Sequence, residues 1–203
     1  FYTASDSFPL HIYAKDFDDN GSYDAIPTLY LEDEKGHKKE FPAQTRDDLI
    51  KQMISMRAKF QTYRAFATAT IDKLLTKDDL KDALILEVNN LQSSYMKNLG
   101  NGKFEISPLP VQAQLSTVNG MSVADFDGDG NLDVVMNTND YGTEVSVGRY
   151  DALNGLFLKG DGKGNFRAVN MDQSGIFIPG NGKSLVSLSN PQHQLLLLAA
   201  QNR

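Results

Sequence analysis

A short acidic pattern occurs twice in this chain, and it restricts the fold more than any other feature. Asp16, Asp18, Asn20 and Asp24 stand at positions 1, 3, 5 and 9 of one stretch, and Asp125, Asp127, Asp129 and Asp133 hold the same positions in another. Position 6 is Gly21 in the first and Gly130 in the second. Each stretch lies between apolar or alternating runs of strand length, within residues 12–26 and 123–135, so the unit reads as strand, loop, strand. A unit that recurs in this way predicts a repeat architecture, in which each copy buries its apolar face against the next.

A second element also recurs. Tyr95 to Phe104 (YMKNLGNGKF) and Phe157 to Phe166 (FLKGDGKGNF) share an aromatic, a Gly-rich centre and a closing Phe, and each reads as a hairpin. A looser third copy spans 175–188, and residues 194–201 supply a further apolar strand, so the repeat is expected to continue past Arg203. The two acidic stretches begin 109 residues apart, whereas about 60 residues hold the four short strands of one blade. The excess is a change of period. Leu49, Ile50, Met53, Ile54 and Phe60 recur at helical spacing after Thr45 and Asp48, and Thr76 with Asp79 precedes Leu80, Ala83, Leu84 and Val88. Two or three helices are expected within an insertion over 45–90. The apolar faces around Leu49, Met53 and Leu84 are expected to pack as core between insertion and blade.

The acidic stretches carry chemistry as well as a turn. Several carboxylates brought together repel, and a hard cation with six to eight oxygen ligands relieves that repulsion. Calcium fits better than magnesium, which demands stricter octahedral geometry. Gly21 and Gly130 permit the sharp bend, and the carbonyls of Ser22 and Asn131 at position 7 can add ligands. The residues expected to hold two structural calcium ions are therefore Asp16, Asp18, Asn20, Ser22 and Asp24, and Asp125, Asp127, Asp129, Asn131 and Asp133. The first loop has one carboxylate fewer at these positions and is expected to bind more weakly. An EF-hand needs flanking helices and a Glu at position 12, where this chain has Pro27 or Met136.

DFDGDGNLDVV, GLFLKGDGKGNF and the start GNGKSLVSL resemble the FG-GAP or VCBS repeat family, the calcium-loop β-propeller blades also found in integrin α-subunit heads. The run NDYGTEVSVGRYDALNG together with the helical insertion is similar, more narrowly, to secreted repeat proteins of the cartilage-acidic-protein or ASPIC/UnbV type. The resemblance implies a mainly β propeller of about seven blades, calcium between the first and second strands of a blade, ligand recognition by face loops, and no catalytic residue. It implies a secreted, periplasmic or cell-surface location. On this reading the chain is an incomplete propeller fragment over 1–203: a first blade at 1–112 with the insertion, a second at 113–174 and the start of a third at 175–203. The expected partners are the remaining blades of a parent chain and a protein or carbohydrate ligand, and unclosed blades expose edge strands that can self-associate. The third blade's loop, 188–194, has no acid and is expected to be metal-free.

Composition narrows the remaining classes. The net charge is -6 with no basic stripe, which argues against nucleic acid as partner. The longest apolar run, 195–200, is far shorter than the roughly 20 residues of a membrane helix. There is no cysteine, so thiol catalysis, Cys-type zinc sites and disulfides are all excluded. The chain begins at Phe1 without an initiator Met or a signal segment, as expected of a mature product or an excised piece. His11, His37 and His193 lie in separate segments without a zinc or catalytic spacing, and the glycines at 160, 162 and 164 read as turn residues rather than a phosphate cradle. A glycan-active propeller enzyme, hydrolase or lyase, is the alternative function, since its two acids can come from distant segments. One further segment, 139–154, is longer than a hairpin needs and carries Tyr141, Glu144, Arg149, Tyr150 and Asp151, which are candidate ligand-binding residues.

Overall fold

The computed structural model describes residues 2–145, 147–191 and 195–202. At 41% strand and 14% helix the chain is mainly β, as expected. It divides into two compact units, Phe1–Leu91 and Gln92–Arg203.

In the first unit, strands β1 (Leu10–Lys15), β2 (Asp24–Glu32) and β3 (Lys38–Pro42) are followed by short helices α1 (Arg46–Gln52), α2 (Met56–Lys59), α3 (Tyr63–Ala67) and α4 (Ile71–Leu74), then by strand β4 (Leu84–Val88). The sheet is antiparallel with the order β3-β2-β1-β4. Its core joins Tyr13 and Ile26 of the sheet to Leu49, Ile50, Met53, Met56, Phe60 and Leu74 of the helical stretch. The start of α1 is set by Thr45, whose Oγ1 accepts from the Asp48 backbone N–H at 3.2 Å while its hydroxyl donates to the Asp48 carboxylate at 2.6 Å. Thr45→Ala is expected to lower stability by about 1 kcal/mol, the usual cost of a lost cap, read as a fall in the urea midpoint at unchanged slope.

The second helical signature has a different outcome. Thr76 and Asp79 do bond reciprocally, the Thr76 N–H and hydroxyl donating to Asp79 Oδ2 and the Asp79 N–H donating back to Thr76 Oγ1. Only a turn follows, because Asp82 takes a left-handed φ of 60° and redirects the chain. Residues 84–88 then pair with the open side of β1, from Leu84 opposite Ala14 to Val88 opposite Leu10. The expected helical insertion over 45–90 is thus four helices confined to 46–74 and a strand. Leu49 and Met53 are core as expected, but Leu84 is 52% exposed and is not.

In the second unit, β5 (Ser94–Gly100) and β6 (Lys103–Pro108) form a hairpin, followed by a 3-10 turn at Val111–Gln114. Strands β7 (Val118–Ala124), β8 (Asp133–Thr138), β9 (Leu156–Gly160) and β10 (Phe166–Val169) make a sequential antiparallel sheet, β10-β9-β8-β7. A short helix α5 (Met171–Ser174) leads to a second hairpin, β11 (Asn181–Ser189) with β12 (Leu195–Asn202). Both faces of the sheet are covered at β8, every residue of which is buried, whereas Met121 and Val123 of the edge strand β7 are exposed. Val134, Met136, Leu156 and Leu158 pack with Leu109 and Ala113 on one face, whereas Val135 and Phe157 meet Leu185, Leu197 and Ala199 on the other. Strand alternation produces this division, since successive side chains point to opposite faces.

Side-chain amides, buried at Asn137 and exposed at Asn119, join these layers. Asn137 Nδ2 donates to the carbonyls of Ser184 and Ala200 at 2.9 and 3.0 Å, and Asn119 Nδ2 donates to those of Asn139 and Gly182 at 2.7 and 2.9 Å. Gly182 is required where β11 crosses this network, because a Cβ there would lie 2.2 Å from Asn137 Oδ1 and 2.5 Å from the Thr138 carbonyl.

Candidate metal centres

Both acidic stretches connect antiparallel neighbours, β1 to β2 and β7 to β8. Asp24 opens β2 opposite Lys15, and Asp133 opens β8 opposite Ala124. Position 9 is therefore fixed by a strand ladder in both copies, whereas positions 1 to 7 lie in the turn. The fold brings Asp16, Asp18 and Asp24 together, and separately Asp125, Asp127 and Asp133, with one carboxylate oxygen from each residue of a set within 4.8 Å of the others.

Position 1 organises the turn in each loop. Asp16 accepts the backbone N–H groups of Asn20 and Gly21 at 2.9 and 2.8 Å. Asp125 accepts those of Gly128, Asp129 and Gly130 at 2.8, 3.1 and 2.9 Å. The side chains at position 5, Asn20 and Asp129, each accept the N–H two residues on, from Ser22 and Asn131. Of the four aspartates in the second loop, Asp129 lies outside the converging three. At position 9 the carboxylate closes the loop. Asp24 accepts from the Phe17 N–H at 3.0 Å, and Asp133, fully buried, accepts from Phe126 and Gly160 at 3.1 and 2.9 Å.

The first set is electrostatically unfinished. Burial raises the Asp24 carboxyl above its ordinary range, with Asp18 and Asp16 adding repulsion and the Phe17 N–H opposing it. Asp18 Oδ1 is shielded from solvent and has no hydrogen-bond partner among the described residues. A hard cation would supply both missing interactions, and the all-oxygen donor set suits calcium chemistry. At the second loop the Lys159 ammonium of β9 contacts Asp127 Oδ2 and lies 2.7 Å from Asp129 Oδ2. The Lys159 ammonium is held charged above its usual range by these two aspartates, and Asp129 is correspondingly lowered, chiefly by the Lys159 bond.

Sequence reading did not find Lys159 or Gly160 as parts of this site. Gly160, taken for a turn residue, ends β9, donates to Asp133 and is pressed against the Leu132 carbonyl. Their signal is the meander itself, since the strand following β8 must run back past the loop that opens it.

The segment 139–154 is closed at its base, where Asp140 and Tyr150 exchange backbone hydrogen bonds at 2.9 Å. Arg149 stacks over the Tyr141 ring at 4.9 Å, and the Glu144 carbonyl accepts the Val147 and Gly148 N–H groups. Glu144, Arg149 and Asp151 are exposed, while Tyr141 and Tyr150 are half-buried. Among the histidines, His11 Nδ1 lies 2.8 Å from Glu40, which also accepts from Thr28 and from Tyr13, whose hydroxyl is raised by burial and then by Glu40. His37 sits 3.6 Å from Asp33, and His193 lies outside the described residues, as do Gln192 and Gln194 of the third loop.

The FG-GAP-like repeat family matches residues 75–136. The matched stretch takes in β4, the β5–β6 hairpin, β7, the second acidic loop and most of β8, so the repeat begins inside the segment expected to be a helical insertion. No curated protein and no solved structure matches the chain. No helix among the described residues is long and apolar enough to cross a membrane.

Proposed function

We propose that this chain is a calcium-stabilised binding or scaffold module, made of propeller blades of a larger extracellular repeat protein. The observation that carries the reading is the pair of matching strand–loop–strand units, each converging three aspartates at positions 1, 3 and 9. Asp16, Asp18 and Asp24 would hold one ion, and Asp125, Asp127 and Asp133 the other. Bound calcium supplies charge neutralisation and a rigid loop rather than bond-breaking chemistry.

On this reading the β7–β10 sheet is the blade expected at 113–174 and the β11–β12 hairpin the start of one at 175–203; the sheet of the first unit falls within the first blade at 1–112, whose β5–β6 hairpin belongs to the second unit. Remaining blades of a parent protein would cover its outer apolar faces. Ligand recognition falls to the face loops, with 139–154 as the segment presenting an arginine and two tyrosines. A secreted or cell-surface setting, where calcium is millimolar, agrees with the weak affinity expected of such sites.

At dissociation constants of about 0.1–1 mM, millimolar calcium adds roughly 0.4–1.4 kcal/mol per site. A melt of the chelated protein followed by calcium addition is therefore expected to show a rise of roughly 2–10 °C in Tm. The double variant Asp16→Asn, Asp125→Asn keeps one of the two oxygen acceptors at each position 1, removes a charge from each loop, and should abolish most of that rise. Equal Tm values with and without calcium in the unaltered chain would overturn the reading.

A further inference from the structure

The two loops differ in one respect that their own residues do not show. At position 3 of the first loop, Asp18 Oδ1 is shielded and without a partner among the described residues, whereas at position 3 of the second, Asp127 is held by the Lys159 ammonium. The same ammonium takes Asp129, which stands at position 5 where the first loop has Asn20. Strand length is the cause. β9 runs on to Gly160, whose N–H reaches Asp133, so Lys159 is carried alongside the loop. β3 stops at Pro42, opposite Thr28, and so falls four residues short of the level of Asp24. The lysine next to the first loop, Lys15, is turned away and donates to the carbonyls of Asp79 and Lys81.

The geometry points to Lys159 as a tethered counter-ion that competes with calcium for the second loop. This rests on the calcium reading above and goes beyond it, because it reverses the affinity order that the carboxylate count at positions 1, 3, 5 and 9 predicts. Four aspartates less one lysine leave the second loop one negative charge short of the first, which carries Asp19 besides Asp16, Asp18 and Asp24, and its position-3 oxygen is already engaged. An incoming cation must displace the ammonium or tolerate it at close range, and like charges at such separations repel strongly in a partly shielded site. Displacement is opposed as well, since Arg167 stands directly across from Lys159 on β10 and lines the same small cavity beside Phe126, Phe157 and Asp127. Facing cations on adjacent strands are unfavourable, so Lys159 is driven toward the loop from both sides. The first loop therefore fills at lower calcium than the second, and the two titrate in succession.

Isothermal titration with calcium chloride tests this on the full chain. Asp125→Asn isolates the first loop and Asp16→Asn the second, and the first is expected to bind more tightly. In the Asp16→Asn background, Lys159→Met and Lys159→Gln should each raise affinity about tenfold or more, whereas Lys159→Arg, which keeps the charge, should leave it low. Lys163→Met, altering a lysine of the next turn, should change little. Calcium binding that is unmoved or weakened by both neutral variants at Lys159, or a second loop already tighter than the first, overturns this inference alone. No binding heat in any variant or in the unaltered chain overturns the calcium reading itself.

Discussion

Asn139→Ala is expected to lower stability by about 3–5 kcal/mol, as much as truncating a large side chain of the apolar core. Asn139 is 1% exposed and sits at a left-handed φ of 76°, a conformation that Asn tolerates and Ala does not. Its Nδ2 donates to the Leu153 carbonyl at 2.5 Å and to that of Gly180 at 3.2 Å, while its Oδ1 accepts from Ser116 Oγ and the Leu153 N–H. Truncation takes the amide from the half-buried Leu153 and Gly180 backbone groups, leaves Ser116 Oγ only its longer bond to the Tyr150 carbonyl, and adds about 1 kcal/mol of backbone strain. Asn139→Gly separates the two contributions, because it relieves the strain but restores no bond. Urea unfolding should place Gly slightly above Ala and far below Asn. A loss under about 1 kcal/mol for Ala would mean that water replaces the amide and that the loop is not held from this point.

The same residue shows what the sequence could and could not convey. Residues 139–154 read as a recognition loop because of the tyrosines and the arginine near its middle. In the fold its first residue is an anchor, joining that loop to Ser116 on one side and Gly180 on the other. Nothing local marks this, since an amide's partners here lie 23 and 41 residues away. The acidic loops were legible for the opposite reason. Asp16 and Asp125 bond only to N–H groups within five residues, so the spacing of the acids and the glycine contains most of the geometry. Position 5 is local as well, since Asn20 and Asp129 each accept the N–H two residues on, whereas the Lys159 contact of Asp129 comes from another strand and has no local sign. Helix signals obeyed the same rule. Thr45 begins a helix, whereas Thr76 makes the same local bonds and is overridden, because residues 84–88 find an open strand edge to pair with.

The second large effect is expected at Gly160, a residue whose sequence context suggests only a turn. Its φ is not left-handed, so freedom of backbone angle does not explain the glycine. Space does. A Cβ at Gly160 would lie 2.1 Å from the Leu132 carbonyl oxygen, a backbone atom that cannot swing aside. Gly160→Ala must therefore push the end of β9 away from the second acidic loop. That movement breaks the 2.9 Å bond from the Gly160 N–H to the buried Asp133 carboxylate and carries Lys159 away from Asp127. The expected cost is about 3 kcal/mol, near the upper range for overpacking with a lost bond to a buried charge added. Gly142→Ala is the control: its Cβ would meet nothing nearer than the Asp140 side chain at 3.4 Å, and it should be close to neutral. A calcium titration in the Asp16→Asn background adds a second readout. If the loop depends on β9 for its closure, Gly160→Ala lowers its calcium affinity even though it moves the competing ammonium away. If affinity rises instead, the lysine governs the site more strongly than the carboxylate geometry does, and loop closure by Asp133 is of less consequence to the ion than to the fold.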